Sequence, residues 1–205
     1  MGPLPGLGGP FDTVVDFLQA WGHTAKFYHP AAKIIETCGS LADEISTSTT
    51  AFPRRIAELA TRIAVRNTGP FPLVHPDFGH NNIVVDDEYQ ILGVIDWEHA
   101  CSMPWEMVDF PLLLTVVPRA MDVPWSYDEH GVPTDLQTCA RIEARQKYVR
   151  LVHEFETSLG LSHTLSNVLD DERGQAVATA MRLYTTDGKM GWYAKVLDED
   201  AFQGE

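Results

Sequence analysis

Apolar positions change their spacing twice along this chain. Phe11, Val14, Val15, Leu18 and Trp21 recur at the interval of one helix face, and Gly22 stands where that helix is expected to end. Ahead of them, MGPLPGLGGP at 1–10 reads as a Gly/Pro-rich linker, because Pro3, Pro5 and Pro10 interrupt regular structure. The Ser/Thr run at 46–50 reads as a loop. A second helix is expected over 52–66. Pro53 suits its first turn, Ile56, Leu59, Ala60 and Ile63 form its stripe, and Asn67, Thr68 and Gly69 close it. From Phe71 the spacing shortens. Residues 71–74, 83–85 and 91–95 are β-rich runs, and the acidic residues 86–88 separate the last two as in a hairpin. Beyond them, 105–117 is an apolar helical stretch in which Pro111 marks a kink or a break. Thr134 and Gln137 make a capping-box pattern, opening a long helix that runs to about Leu159 and ends at Gly160. Two further helical stretches follow at 163–171 and 173–186. The expected fold class is mainly α with a small β-hairpin element (α+β).

Composition narrows the setting. A chain of 205 residues that is 44% hydrophobic can bury one real core. No apolar run approaches the ~20 residues that span a bilayer, and the first residues lack a basic segment followed by an apolar one. A membrane partner is therefore not expected. Cys38, Cys101 and Cys139 fit neither a disulfide framework nor a CxxC metal site, which points to a reducing, cytoplasmic setting with the thiols in the core or at its edge. The formal charge of −14 argues against nucleic acid as a partner. Beyond keeping the chain soluble, such a field favours a cationic small molecule.

The chemistry concentrates in LVHPDFGHNNIVVDDEYQILGVIDWE at 73–98. Phosphoryl transfer to an alcohol needs a carboxylate that orients the hydroxyl and takes its proton, together with hard oxygen ligands for Mg²⁺. His75, Asp77 and Asn82 form H-x-D-x-x-x-x-N between two apolar runs, and Asp96 ends the next run. A hairpin would bring Asn82 and Asp96 to neighbouring strand ends, where they could share a metal. Two other readings of the same region are less complete. His75, Asp77, His80, Asp96 and His99 could ligate zinc, but no HExxH or paired-Cys spacing accompanies them. Ser102 lies near His99 and Asp109, but no G-x-S-x-G surrounds it.

The segment 73–98 resembles the catalytic and metal-binding region of the aminoglycoside phosphotransferase/choline kinase-like family, which has the protein-kinase-like fold. The shared pattern is apolar–apolar–H-x-D-x-x-x-x-N–apolar–apolar, a turn, then apolar–apolar–D-[FW]-E. The resemblance implies Asp77 as catalytic base, His75 as a brace of the catalytic loop, and Asn82 and Asp96 as Mg²⁺ ligands. It implies Asp109 as a helix-borne support of the same loop. It further implies ATP as cosubstrate and a hydroxyl-bearing small molecule as acceptor, with selectivity lodged roughly in 119–205.

The family's other half has no counterpart in the pattern. Gly6, Leu7, Gly8 and Gly9 lack flanking strands, and Lys26 and Lys33 lack a strand context, so both lysines are expected at the surface. Residues 11–205 are thus expected to form a kinase-like C-terminal lobe without its N-terminal β-lobe. Such a lobe would bind ATP weakly or not at all, and its exposed face could drive self-association. A catalytically silent lobe that binds a small molecule or a protein is the competing expectation. Trp97, Trp105, Trp125 and Trp192 are expected to pack the helical lobe, and His80 and His99 to lie at its cleft or surface.

Overall fold

The computed structural model describes residues 4–198. Helix α1 spans Val14–Thr24 and is capped by Thr13, whose Oγ1 accepts from Asp16 N. It does not stop at Gly22. A Cβ on Gly22 would lie 2.5 Å from Pro53 O and 2.7 Å from Ala57 Cβ, so this glycine lets two helices approach rather than ending one.

After α2 (Ala31–Cys38), helix α3 runs Ala42–Glu58 and absorbs the whole Ser/Thr stretch that reads as a loop. Tertiary contact outweighs low propensity there. Ser48 and Thr49 are buried, and Ser48 Oγ accepts from Ala194 N at 2.9 Å. Pro53 lies inside this helix, not in a first turn. Its missing N–H leaves the Thr49 carbonyl without a helical donor. Tyr184 supplies one: its hydroxyl donates to Thr49 O at 3.2 Å. A short helix α4 (Ala60–Ile63) follows.

The strand runs form two two-stranded antiparallel sheets. β2 (Ile83–Val85) pairs with β3 (Ile91–Val94) as the expected hairpin, with Ile83 opposite Val94. β1 (Leu73–Val74) pairs with β4 (Cys101–Ser102), a strand that two residues of no particular β pattern do not announce.

Residues 105–117 do not form a helix. Pro104, Pro111 and Pro118 recur every seven residues, each extended and each followed by one 3₁₀ turn, at Trp105–Met107, Leu112–Leu114 and Arg119–Met121. A proline at each restart prevents any longer run of helical hydrogen bonds.

Helix α5 spans Leu136–Ser158, with Gly160 left-handed just beyond it. Its cap is Asp135, whose carboxylate accepts from Thr138 N (2.8 Å) and Thr138 Oγ1 (2.7 Å), rather than Thr134. Helices α6 (Thr164–Asp170) and α7 (Glu172–Thr186) fall where the pattern places them.

The main core joins α1, α3 and α7 to the 3₁₀ segment Tyr193–Leu197. Trp21, Phe52, Tyr184 and Tyr193 meet edge-on or tilted, with centroids 5.3–5.9 Å apart. Leu4 and Leu7, from the proline-rich opening, pack against this core. Of the four tryptophans expected inside, Trp192 is buried, Trp105 partly so, while Trp97 and Trp125 are exposed. Lys26 and Lys33 are at the surface, and the three thiols are free and half-buried. No helix among the described residues is long and apolar enough to cross a membrane.

Candidate functional site

The chain leaves β1 at Val74 and turns through His75, Pro76, Asp77, Phe78 and Gly79 before re-entering regular structure in a 3₁₀ turn at His80–Asn82. Asn82 is the buried anchor of this loop. Its Nδ2 donates to Asp77 O at 2.8 Å and to Asp77 Oδ2 at 3.1 Å. Gly79 N adds a third bond, to Asp77 O at 2.9 Å. One amide thus holds both the backbone and the carboxylate of Asp77, while the carboxylate itself stays exposed.

His75 joins this loop to the one that carries Asp96. Its Nδ1 accepts from Asp77 N (3.2 Å), so the ring proton sits on Nε2, which donates to Ile95 O at 2.9 Å. The ring also packs edge-on against Trp97, centroids 4.9 Å apart. Trp97 in turn donates its Nε1–H to Val94 O at 2.9 Å.

The hairpin register delivers Asp96. Ile83 faces Val94, and Ile95 N donates to Asn82 O at 3.0 Å, so Asn82 and Asp96 lie one residue out of register at neighbouring strand ends. Asp86 closes the other end by accepting from Glu88 N and Gln90 N. Asp96 has a φ of 62° and His99 a φ of 65°. Such left-handed backbone in non-glycine residues costs energy and gathers at functional turns.

All four expected site residues are therefore brought together: His75, Asp77 and Asn82 by direct hydrogen bonds, Asp96 through its neighbour Ile95. Asn82 spends its amide nitrogen on Asp77 and keeps its Oδ1 for another partner. The available donors toward a cation are that oxygen and the Asp96 carboxylate, a hard oxygen set suited to Mg²⁺, which retains part of its water shell. Among the described residues, no group of three or more His, Cys, Asp or Glu side chains converges on a metal position, so the zinc reading gains no geometric basis.

Asp109 departs from expectation. It sits in a buried cluster, accepting from Arg182 Nε (3.0 Å), Thr179 Oγ1 (3.1 Å) and Phe110 N (2.8 Å), with Arg145 Nη2 at 3.5 Å. Its carboxylate ties the 105–114 segment to α5 and α7 and makes no bond to the 75–82 loop. That loop is supported instead by backbone, as Leu112 N donates to Phe78 O at 2.8 Å. Neither this bond nor the His75–Trp97 packing has a sequence signal of its own. Trp97 could have been placed only through its position beside Asp96.

The family model of the phosphotransferase enzyme family matches residues 18–125, more than half the chain and all of the loop and hairpin just described. This chain belongs to that family. No curated protein and no solved structure matches it.

Proposed function

We propose that this chain carries the proton-accepting and metal-binding side of a phosphoryl-transfer site, acting on the hydroxyl of a small molecule with ATP as cosubstrate. The observation that carries the reading is the clamp of Asn82 on Asp77. It leaves a carboxylate fixed in direction yet open at the surface, which is what a general base for an alcohol requires. On this reading, residues 11–205 form a kinase-like C-terminal lobe, with 1–10 as its linker.

In the reaction, the acceptor hydroxyl hydrogen-bonds to the free edge of Asp77. Asp77 takes its proton as the oxygen forms its bond to the γ-phosphorus, and ADP leaves. His75 holds the Asp77 loop and the Asp96 loop at one spacing, so base and metal ligands move together. Asn82 Oδ1 and Asp96 would hold Mg²⁺. When bound, the ion neutralises charge on the phosphates. The formal charge of −14 favours an acceptor bearing an amine.

The two sheets of the described residues carry neither a glycine-rich turn over phosphates nor a strand lysine. On this reading ATP binding by this chain is weak or absent, and transfer is slow or absent. Calorimetric titration with Mg²⁺-ATP tests this, and micromolar affinity would overturn it. Transfer of labelled phosphate to a panel of amino alcohols and amino sugars tests the activity. Turnover that survives Asp77→Asn removes the assigned base.

A second reading rests on the hairpin. Val84, Val85, Ile91 and Leu92 are all exposed, although β2 and β3 present them on both faces. A surface of that kind suits a lobe whose role is to bind a partner or a second copy of itself. Sedimentation of the chain with Leu92→Lys separates the two: a monomer before and after the change leaves no such role.

A further inference from the structure

A cavity of about 340 Å³ lies where α4, the Trp105–Met107 turn and the start of α7 meet. No residue from 75 to 99 lines it, so it is separate from the Asp77 loop. Ile63, Trp105 and Val177 give it apolar walls.

Two acceptors in its lining have no donor. Glu106 Oε1 accepts from Arg66 N at 2.7 Å, which fixes the carboxylate, while Oε2 is shut off from solvent and unpartnered. Gln175 is 4% exposed and gives its Nε2 to Val108 O (2.8 Å) and Val168 O (3.1 Å). Those two carbonyls decide which way the amide points, leaving Oε1 as a second buried acceptor without a partner. Glu106 is two residues from Val108, so both orphan oxygens belong to the junction of this turn with α7.

Buried acceptors are normally satisfied, and two on residues lining one cavity are available to N–H donors of a bound molecule. The surrounding charge narrows the choice. The exposed guanidinium groups of Arg66 and Arg173 lie in the same lining, with no described residue paired to either. The carboxylates of Glu106 and Asp171 set negative charge in the same lining, Asp171 with its Oδ1 engaged with Gly174 N. A simple cation would be repelled by the arginines, and a simple anion by Glu106.

We propose that this cavity binds a small amino-carboxylate zwitterion with an apolar side chain. Its ammonium group donates to Glu106 Oε2 and Gln175 Oε1, its carboxylate lies toward Arg66 and Arg173, and its side chain rests on Ile63, Trp105 and Val177.

Calorimetry on the full chain tests this with L-phenylalanine as probe, beside 2-phenylethylamine, which lacks the carboxylate, and 3-phenylpropionate, which lacks the ammonium. Saturable binding of phenylalanine is expected, with each half-analogue weaker by about tenfold or more, the scale of losing one charge-assisted contact. Glu106→Gln keeps the acceptor for Arg66 N and turns Oε2 into a donor. It should weaken phenylalanine by about tenfold while its thermal melt shows an intact fold. Arg66→Ala, at an exposed position, should weaken phenylalanine and leave phenylethylamine unchanged. Asp77→Asn should bind phenylalanine as the unmodified chain does. Absence of saturable binding, equal binding of either half-analogue, full affinity in Glu106→Gln, or loss of binding in Asp77→Asn would each overturn the proposal.

Discussion

Asn82 holds Asp77 twice through one nitrogen, at 2.8 Å to the backbone oxygen and 3.1 Å to the carboxylate. Because Asn82 is buried and Asp77 exposed, the anchor and the proposed base divide two demands that one residue cannot meet. Asp77→Asn should lower phosphoryl transfer by at least about 100-fold, the contribution of a positioned base, with little change in thermal midpoint. Asn82→Ala should lower both, since it removes a buried side chain that ties the backbone and the carboxylate of Asp77 together. Parallel transfer assays and melts distinguish the two variants, and equal loss of stability in both would deny Asp77 its separate role.

The proposed metal role of Asp96 is tested more directly by binding than by rate. Asp96→Asn removes the one formal charge among the proposed ligands and should weaken Mg²⁺ or Mn²⁺ binding by about tenfold or more. Paramagnetic titration with Mn²⁺ measures this without ATP or acceptor. Unchanged affinity would place the ion elsewhere.

Pro53 and Tyr184 are coupled through the Thr49 carbonyl. Tyr184→Phe leaves that buried acceptor empty and should cost about 1–3 kcal/mol in urea denaturation. In a Pro53→Ala background the helix regains its own N–H, so the same change should cost markedly less. A double-mutant cycle that proves additive would break the link.

Burial also pushes the Tyr184 hydroxyl up from its ordinary value of 10.0 to about 12. The folded state then keeps a proton that the unfolded chain gives up. Between about pH 10 and 12 the native state binds more protons, so stability falls as pH rises, having been constant below that window. Tyr127, pushed to about 12 mainly by burial and next by Asp122, adds to the same fall. Urea midpoints measured from pH 8 to 12 should drop more shallowly in Tyr184→Phe.

Asp109 faces two arginines, with side chains 10–18% exposed. Asp109→Asn leaves both positive charges under-compensated and should cost about 3–5 kcal/mol, the range for breaking a buried pair from one side. Gly22→Ala tests packing in the same way. Its new methyl meets Pro53 O and Ala57, and the clash of about 1–3 kcal/mol outweighs the ~1 kcal/mol gain in helix propensity. Denaturant midpoints check both, and a stabilised Gly22→Ala would mean that α1 and α3 can separate freely.

The sequence by itself determined the family, the hairpin, the helices at 136–186 and the spatial grouping of His75, Asp77, Asn82 and Asp96. Those features depend on local spacing: two residues per strand repeat, 3.6 per helical turn, and a motif whose members are close in the chain. Tertiary structure alone decided what long-range partners control. The Ser/Thr run at 46–50 became helix because Ala194 and Tyr184 satisfy it from about 140 residues away. Gly22 continued a helix because α3 passes close by. Asp109 turned from the 75–82 loop to Arg182 because α7 packs over the 105–114 segment. In each case a polar group or a glycine answered to a neighbour that no local pattern records, and the cost of leaving it unsatisfied or overlapped settled the outcome.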